Sequence, residues 1–290
     1  MHHDAMLSLP QHHLVDSDRH GPQDRACWWR ARRHHGLEGL TASFRHHRYA
    51  PHSHDTYVVG VVLAGCDAYT LRGQRRLAGA GSLTLIDPGE VHDGEPLEDG
   101  YVYRMTYPSP ALMAELSADL GLGQDAPHFP EPVVEDAVAA AALVEAHRAL
   151  QSGHDPLQAD EALLRAFGLI LQRHGTFRAA GRRDPARDDG AVRRVRDHLE
   201  AHYAAAPDLN ELALVAGLSR HHLLRLFKRT TGLTPHAYLT DCRVRAARRL
   251  LGAGLAPVEV AQACGFFDQS HLNRAFKQRA GSAPGAYRAA

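Results

Sequence analysis

The last hundred residues carry one pattern twice. Ser219–Tyr238 aligns with Asp268–Tyr287 at an offset of 49, pairing His222 with His271, Leu223 with Leu272, Arg225 with Arg274, Phe227 with Phe276 and Lys228 with Lys277. Further on, Gly232 pairs with Gly281, Pro235 with Pro284, Ala237 with Ala286 and Tyr238 with Tyr287. The step from Ala213 to Gly217 recurs from Ala261 to Gly265 at an offset of 48, so one residue has been added between Gly265 and Asp268. The chain's only two lysines, Lys228 and Lys277, hold the same place in the repeat. A fixed period means a structural unit built twice. This unit is two short helices around a glycine turn, a form that commonly binds DNA.

Charge is placed to match. The chain is neutral overall, but residues 1–190 hold 18 Lys and Arg against 26 Asp and Glu, and residues 191–290 hold 15 against 7. A basic module joined to an acidic partner suits polyanion binding by one half only. The longest apolar stretch, Tyr57–Cys66, is too short to span a bilayer, and the N-terminus lacks the basic-then-apolar pattern of a signal peptide. No membrane partner is expected. Cys27, Cys66, Cys242 and Cys264 lie far apart without a C-x-x-C pair, so they read as reduced thiols of a cytoplasmic protein.

The expected fold class is α+β with two domains: an N-terminal β-barrel followed by helices, then an all-α double helix-turn-helix domain. Residues 1–24 read as a mobile tail. Residues 25–108 carry short β-branched runs such as Tyr57–Leu63 and Ser82–Ile86, punctuated by glycine and proline, as in a small barrel. Residues 109–174 turn to helical period and read as a coupling or dimerisation segment. Helices are expected at Ala111–Leu120, at Pro132–Leu150 with Val134, Val138, Ala141 and Ala142 as its apolar residues, and at Leu157–His174. The last should bury Leu163, Leu164, Phe167, Ile170 and Leu171. Residues 175–190 are polar and read as a linker that few contacts cross, so a fragment of residues 191–290 is expected to fold alone.

Within residues 191–290 the helix-turn-helix units fall at 209–231 and 257–280. Asp208, Ser219 and Asp268 are suited to helix N-caps, and Gly217, Gly232 and Gly281 to helix stops. A long helix near Pro235–Leu251 joins the units. Helical periodicity turns Leu223, Leu226, Phe227, Leu272, Ala275 and Phe276 inward. The opposite faces present Arg220, His221, Leu224 and Arg225 in the first unit, and Gln269, Ser270, His271, Asn273 and Arg274 in the second. Arginine pairs bidentately with guanine, and glutamine or asparagine with adenine. Lys228, Arg229 and Lys277 are placed for phosphates.

Ala213–Tyr238 followed by Ala261–Tyr287 resembles the DNA-binding domain of AraC/XylS-type transcriptional regulators. The run from Gly265 to Lys277, with Gly281, Pro284 and Tyr287, is close to that family's signature. The resemblance covers about a third of the chain. It implies recognition helices in successive major grooves of double-stranded promoter DNA. His221 and Leu224 stand where several relatives carry larger readers.

In the N-terminal half, His52-Ser53-His54 precedes a strand and Gly81–His92 follows later. These pieces resemble the two motifs of a cupin barrel, the usual sensor domain of that family. In cupin enzymes the matching histidines hold a metal with a carboxylate about four residues after the second one. Val58 and Val59 fill that place here. No cofactor or metal is therefore assigned, although a three-histidine site on His52, His54 and His92 stays open as an alternative. Trp28, His52, His54, Tyr57 and His92 are the candidates for an effector pocket. The whole reads as a transcriptional activator or repressor, not an enzyme, controlled by a small-molecule effector, with RNA polymerase and a second copy of the chain as partners. The rival readings are a metal-dependent cupin enzyme fused to a DNA-binding domain, an alkyl-transfer repair protein and an architectural DNA-binding protein. The repair chemistry needs an activated cysteine.

Overall fold

A computed structural model describes residues 24–123, 125–153, 156–177, 190–205 and 207–290. The expected tail through residue 23 and the linker positions 178–189 lie outside the described residues, as does the side chain of His221.

The N-terminal half is an eight-stranded antiparallel sheet: β1 (Arg25–Ala31), β2 (Leu37–Phe44), β3 (Tyr49–His52), β4 (Val58–Leu71), β5 (Gln74–Gly79), β6 (Ser82–Ile86), β7 (His92–Tyr107) and β8 (Val133–Glu135). Its order is β1-β2-β7-β4-β6-β8, with β3 paired to β7 and β5 to β4, so the path is open and cupin-like. The two-residue period of a strand sends neighbouring side chains to opposite faces. Trp28 joins one core with Leu40, Phe44, Tyr69, Tyr101, Tyr103 and Tyr107. Trp29 joins another with Val59, Val61, Leu83 and Leu85, under helices α1 (Pro110–Asp119), α2 (Ala137–Ser152) and α3 (Pro156–His174).

The helix expected over Pro132–Leu150 starts later than its composition suggests. Val133 and Val134 pair with β6 as β8, because β-branched residues fit a pleated edge. Asp136 then caps α2, accepting from the Ala139 amide at 3.0 Å. Val138 and Leu164, expected on buried stripes, are 58% and 50% exposed, at the edges of stripes filled by their neighbours.

The C-terminal half is all helical: α4 (Gly190–Ala201), α5 (Leu209–Ala216), α6 (Arg220–Thr231), α7 (Pro235–Gly252), α8 (Pro257–Ala263), α9 (Gln269–Ala280) and α10 (Pro284–Arg288). The first unit, α5–α6, buries Leu212, Leu223 and Phe227 against Val192, Val195 and Leu199 of α4 and Tyr238 of α7. The second unit, α8–α9, has α7 in front of it, which contributes Val244, Ala247 and Leu251 to its core. Its Val260, Leu272 and Phe276, with Tyr287 of α10, merge into the same core as Trp28, Phe44 and Tyr107 of the sheet. The expectation that few contacts join the two halves is therefore not met. Unit two shares its core with the sheet.

Candidate nucleic-acid interface and ligand cavity

The two second helices, α6 and α9, are built by the same local rules. Ser219 Oγ accepts from the His222 amide at 3.3 Å, and Asp268 Oδ1 accepts from the His271 amide at 2.6 Å. Gly232 and Gly281 end the helices at φ values of 80° and 70°. These caps leave Arg220, Leu224, Arg225 and Lys228 exposed on α6, and Gln269, Ser270, Asn273, Arg274 and Lys277 exposed on α9. His271 is half-buried, its ring edge-on to Phe266 at 5.3 Å. Arg229 differs from the rest of its set. It lines a 970 Å³ cleft between the first unit and the sheet rim, alongside Glu90, His92 and Arg245. Two exposed apolar residues, Leu214 and Phe267, flank the units.

The structure brings four of the five effector candidates together. Trp28, His52, His54 and His92 line a small cavity inside the sheet with Asp67, Tyr69, Tyr101 and Val58. Tyr57 faces the other way, giving its hydroxyl to Pro127 O at 2.5 Å beside Phe129. The cavity measures about 40 Å³. That is room for a water or two and no more. Arg279 and Ala280 at the end of α9 contribute to its wall, so the second unit forms part of the cavity's boundary. Gly281 permits this approach: a Cβ there would lie 2.6 Å from Tyr49 Oη and 2.9 Å from the Phe44 ring.

His52, His54 and His92 cluster, with one potential ligand atom from each lying within 4.8 Å of the others. His52 Nδ1 donates to Ala50 O at 2.8 Å and His92 Nδ1 to Glu90 O at 3.0 Å. Burial, then the neighbouring histidines and arginines, keep His52 and His54 well below the usual imidazole range, so both rings are neutral. Burial and the nearby Asp93 push Asp67 up to about 7. The fourth-ligand place read from the sequence holds Val58, an apolar wall of the same cavity.

The join between the halves centres on Arg248 of α7. Its guanidinium bonds Glu38 Oε2 at 2.8 Å, His54 Nδ1 at 2.8 Å and Tyr287 Oη at 3.2 Å. It also sits 4.9 Å from the Trp28 ring centre and 5.1 Å from that of Tyr107. Burial works to raise Glu38, but Arg248, the Tyr287 hydroxyl and Arg30 outweigh it and hold the carboxylate ionised below its usual range. Ser53 Oγ donates to buried Asp241 of α7 at 2.7 Å, and Trp28 Nε1 donates to Ala280 O at 3.3 Å.

Sequence reading passed over Glu38, Asp241, Arg248 and Arg279. The run Arg243–Arg249 looks like a solvated basic face and counts toward the positive half of the chain. In the fold Arg243 is spent on the carbonyls of Tyr203 and Ala205, and Arg248 on the sheet. Tyr287 was legible as a repeated position, though its partners were not.

Residues 34–167 match the AraC-like ligand binding domain family, and residues 212–290 match a helix-turn-helix domain family. The uncharacterized HTH-type transcriptional regulator YbfI of Bacillus subtilis is 28% identical over 226 residues, spanning 78% of this chain and 82% of YbfI. The HTH-type transcriptional activator RhaS of Klebsiella pneumoniae is 25% identical over 240 residues, spanning 79% of this chain and 84% of its own. Among solved structures, apo ToxT of Vibrio cholerae superposes with a TM-score of 0.54 at 13% identity, over 87% of this chain and 96% of ToxT. An unsaturated fatty acid-bound ToxT superposes at 0.52 with 11% identity, over 93% and 96%. At such identities the ToxT likeness speaks to the fold alone.

Proposed function

Because the chain belongs to the AraC/XylS-type transcriptional regulators, with an AraC-like ligand-binding domain joined to a DNA-binding helix-turn-helix domain, we propose that an effector in the sheet cavity and the docked second unit compete for one opening. The observation that carries this is the wall made by Arg279 and Ala280 around a cavity of about 40 Å³. A metabolite larger than a water enters only when that wall withdraws. Withdrawal frees unit two from Glu38, Trp28 and Phe44, changing how α9 is held relative to α6. The coupling is a population shift: the ligand favours the undocked arrangement, and DNA that requires that arrangement favours the ligand in return.

In this reading Arg220, Arg225, Gln269, Asn273 and Arg274 read bases, and Lys228 and Lys277 hold phosphates. Trp28, His52, His54 and His92 meet the effector. Tyr57 holds the layer beneath, and Arg229 faces the cleft between the halves. The chain regulates and does not catalyse, since its relatives are regulators and Val58 stands where a cupin enzyme needs a carboxylate. Action in the cytoplasm, recruitment of RNA polymerase and pairing with a second copy belong to the same proposal. No described helix is long and apolar enough to cross a membrane. The name of the fatty acid-bound ToxT suggests including fatty acids in the first ligand screen.

The test is selection of a binding site from random DNA, followed by titration of a metabolite panel. Both DNA affinity and tryptophan fluorescence are read, since Trp28 lies at the join. A metabolite that binds should move both signals together. One that fills the cavity and leaves DNA affinity unchanged breaks the proposed competition.

A further inference from the structure

We propose that the three-histidine group is a site for a divalent transition-metal ion of the zinc or cobalt kind, and that this ion and Arg248 of the DNA-binding half exclude one another. The inference deepens the competition proposed above and rests on it for its regulatory sense.

Tautomers carry the argument. A backbone carbonyl only accepts, so His52 and His92 must each carry a proton on Nδ1 to bond Ala50 O and Glu90 O. That leaves the lone pair of each neutral ring on Nε2. A ligating histidine whose other nitrogen donates to a carbonyl is the arrangement that orients a ring for metal. One ring nitrogen from each of the three histidines lies within 4.8 Å of the others. A tetrahedral site with bonds of about 2.1 Å separates its nitrogens by about 3.4 Å, so small ring rotations complete the set. The same cavity holds Asp67, whose Oδ1 is buried without a hydrogen-bond partner. It offers an acceptor for a metal-bound water.

His54 is the exception, and it links the site to the other half. Its Nδ1 accepts from Arg248 Nη1 at 2.8 Å, which puts the ring proton on Nε2. A metal on Nδ1 takes the lone pair that Arg248 now uses. A metal on Nε2 forces the proton onto Nδ1, where it opposes the guanidinium N–H. Either way Arg248 must leave, and like charge drives it in the same direction. Arg248 is also the partner of Glu38 and Tyr287, so its departure weakens the join that closes the cavity.

The experiment titrates Co(II) into the full chain without DNA and reads the absorption of tetrahedral cobalt. Wild type should show one tetrahedral site more than His92→Ala, a difference that discounts the histidine pairs elsewhere in the chain. His52→Gln serves as a second ligand variant if His92→Ala fails to fold. Glu38→Gln weakens the hold on Arg248 without touching a ligand, and Arg248→Met removes the competitor. Each should tighten cobalt binding by about tenfold or more, the scale of one charge-assisted hydrogen bond. Cobalt should also speed hydrogen exchange across α9 and α10. Wild type that matches both ligand variants overturns the site. An affinity unmoved by both Glu38→Gln and Arg248→Met overturns the exclusion. Neither outcome bears on an organic effector, whose test is ligand-dependent DNA affinity.

Discussion

Tyr238 and Tyr287 occupy the same position of the repeat and meet the same need with different partners. Each ring packs edge-on against the phenylalanine of its own unit, Phe227 at 5.5 Å and Phe276 at 5.2 Å. Each hydroxyl bonds a glutamate and an arginine. For Tyr238 these are Glu200 and Arg196, both on α4. For Tyr287 they are Glu38 on β2 and Arg248 on α7, with Arg30 of β1 lying 4.4 Å over the ring. Unit one is thus completed from α4, and unit two from α7 and the sheet together. A repeat preserves internal packing because that packing is made of the repeated residues. Its outer wall is made by whatever lies next to it, and here one copy is completed inside its own half and the other across the halves.

The strongest way to break this comparison is to remove the sheet. A fragment of residues 191–290 keeps α4 and so should keep unit one's core. It keeps α7 beside unit two but loses the sheet side of that core, including the Trp28 ring edge-on to Tyr287. Hydrogen exchange should show protection retained across Leu223–Tyr238 and lowered across Leu272–Tyr287. Equal protection in both units would mean that the second closes on itself and the asymmetry is superficial.

Next in size is the pair of glutamates. Glu38→Ala leaves Arg248 buried without its carboxylate and should cost about 3–5 kcal/mol by urea unfolding of the full chain. Glu200 is 43% exposed, and Glu200→Ala should cost about 0–1 kcal/mol. Similar costs would undo the claim that the two cradles differ in burial. Acid reads the same contrast. Glu38 is held below its ordinary value of 4.5 in the fold, so its contribution is complete above that pH. It is lost as pH falls below 4.5 and through the lower folded value. Trp28 fluorescence should report that transition, and Glu38→Gln should flatten it.

On DNA the expected effects are smaller. Arg274→Ala should weaken binding to the selected site by about 1–3 kcal/mol and relax specificity at one base pair. The matching change Arg225→Ala shows whether unit one reads bases equally. An equal loss on random DNA would reduce Arg274 to a phosphate contact. Smallest of all, Lys228→Gln and Lys277→Gln should each weaken binding uniformly and lower the salt slope by about one. An unchanged slope in either variant removes that lysine from the interface.

Sequence alone determined what depends on short range. The caps at Asp208, Ser219 and Asp268 and the glycine stops delimit α5, α6 and α9, because a cap acts on an amide two or three residues away. Helical period likewise sorts faces, putting Leu223 and Leu272 inside. The histidine cluster was legible only through the resemblance to a cupin barrel, and Tyr57 shows the limit, since its neighbours in sequence did not reveal that it turns to the opposite layer. Only the tertiary structure decided which buried charges meet. Glu38 and Arg248 stand 210 residues apart, and neither carries a local mark distinguishing a buried partner from a solvated charge. The same holds for the cavity wall, to which Arg279 and Ala280 arrive from the far end of the chain. Period and capping are properties of a few consecutive residues, whereas an interface between halves depends on how two finished surfaces fit.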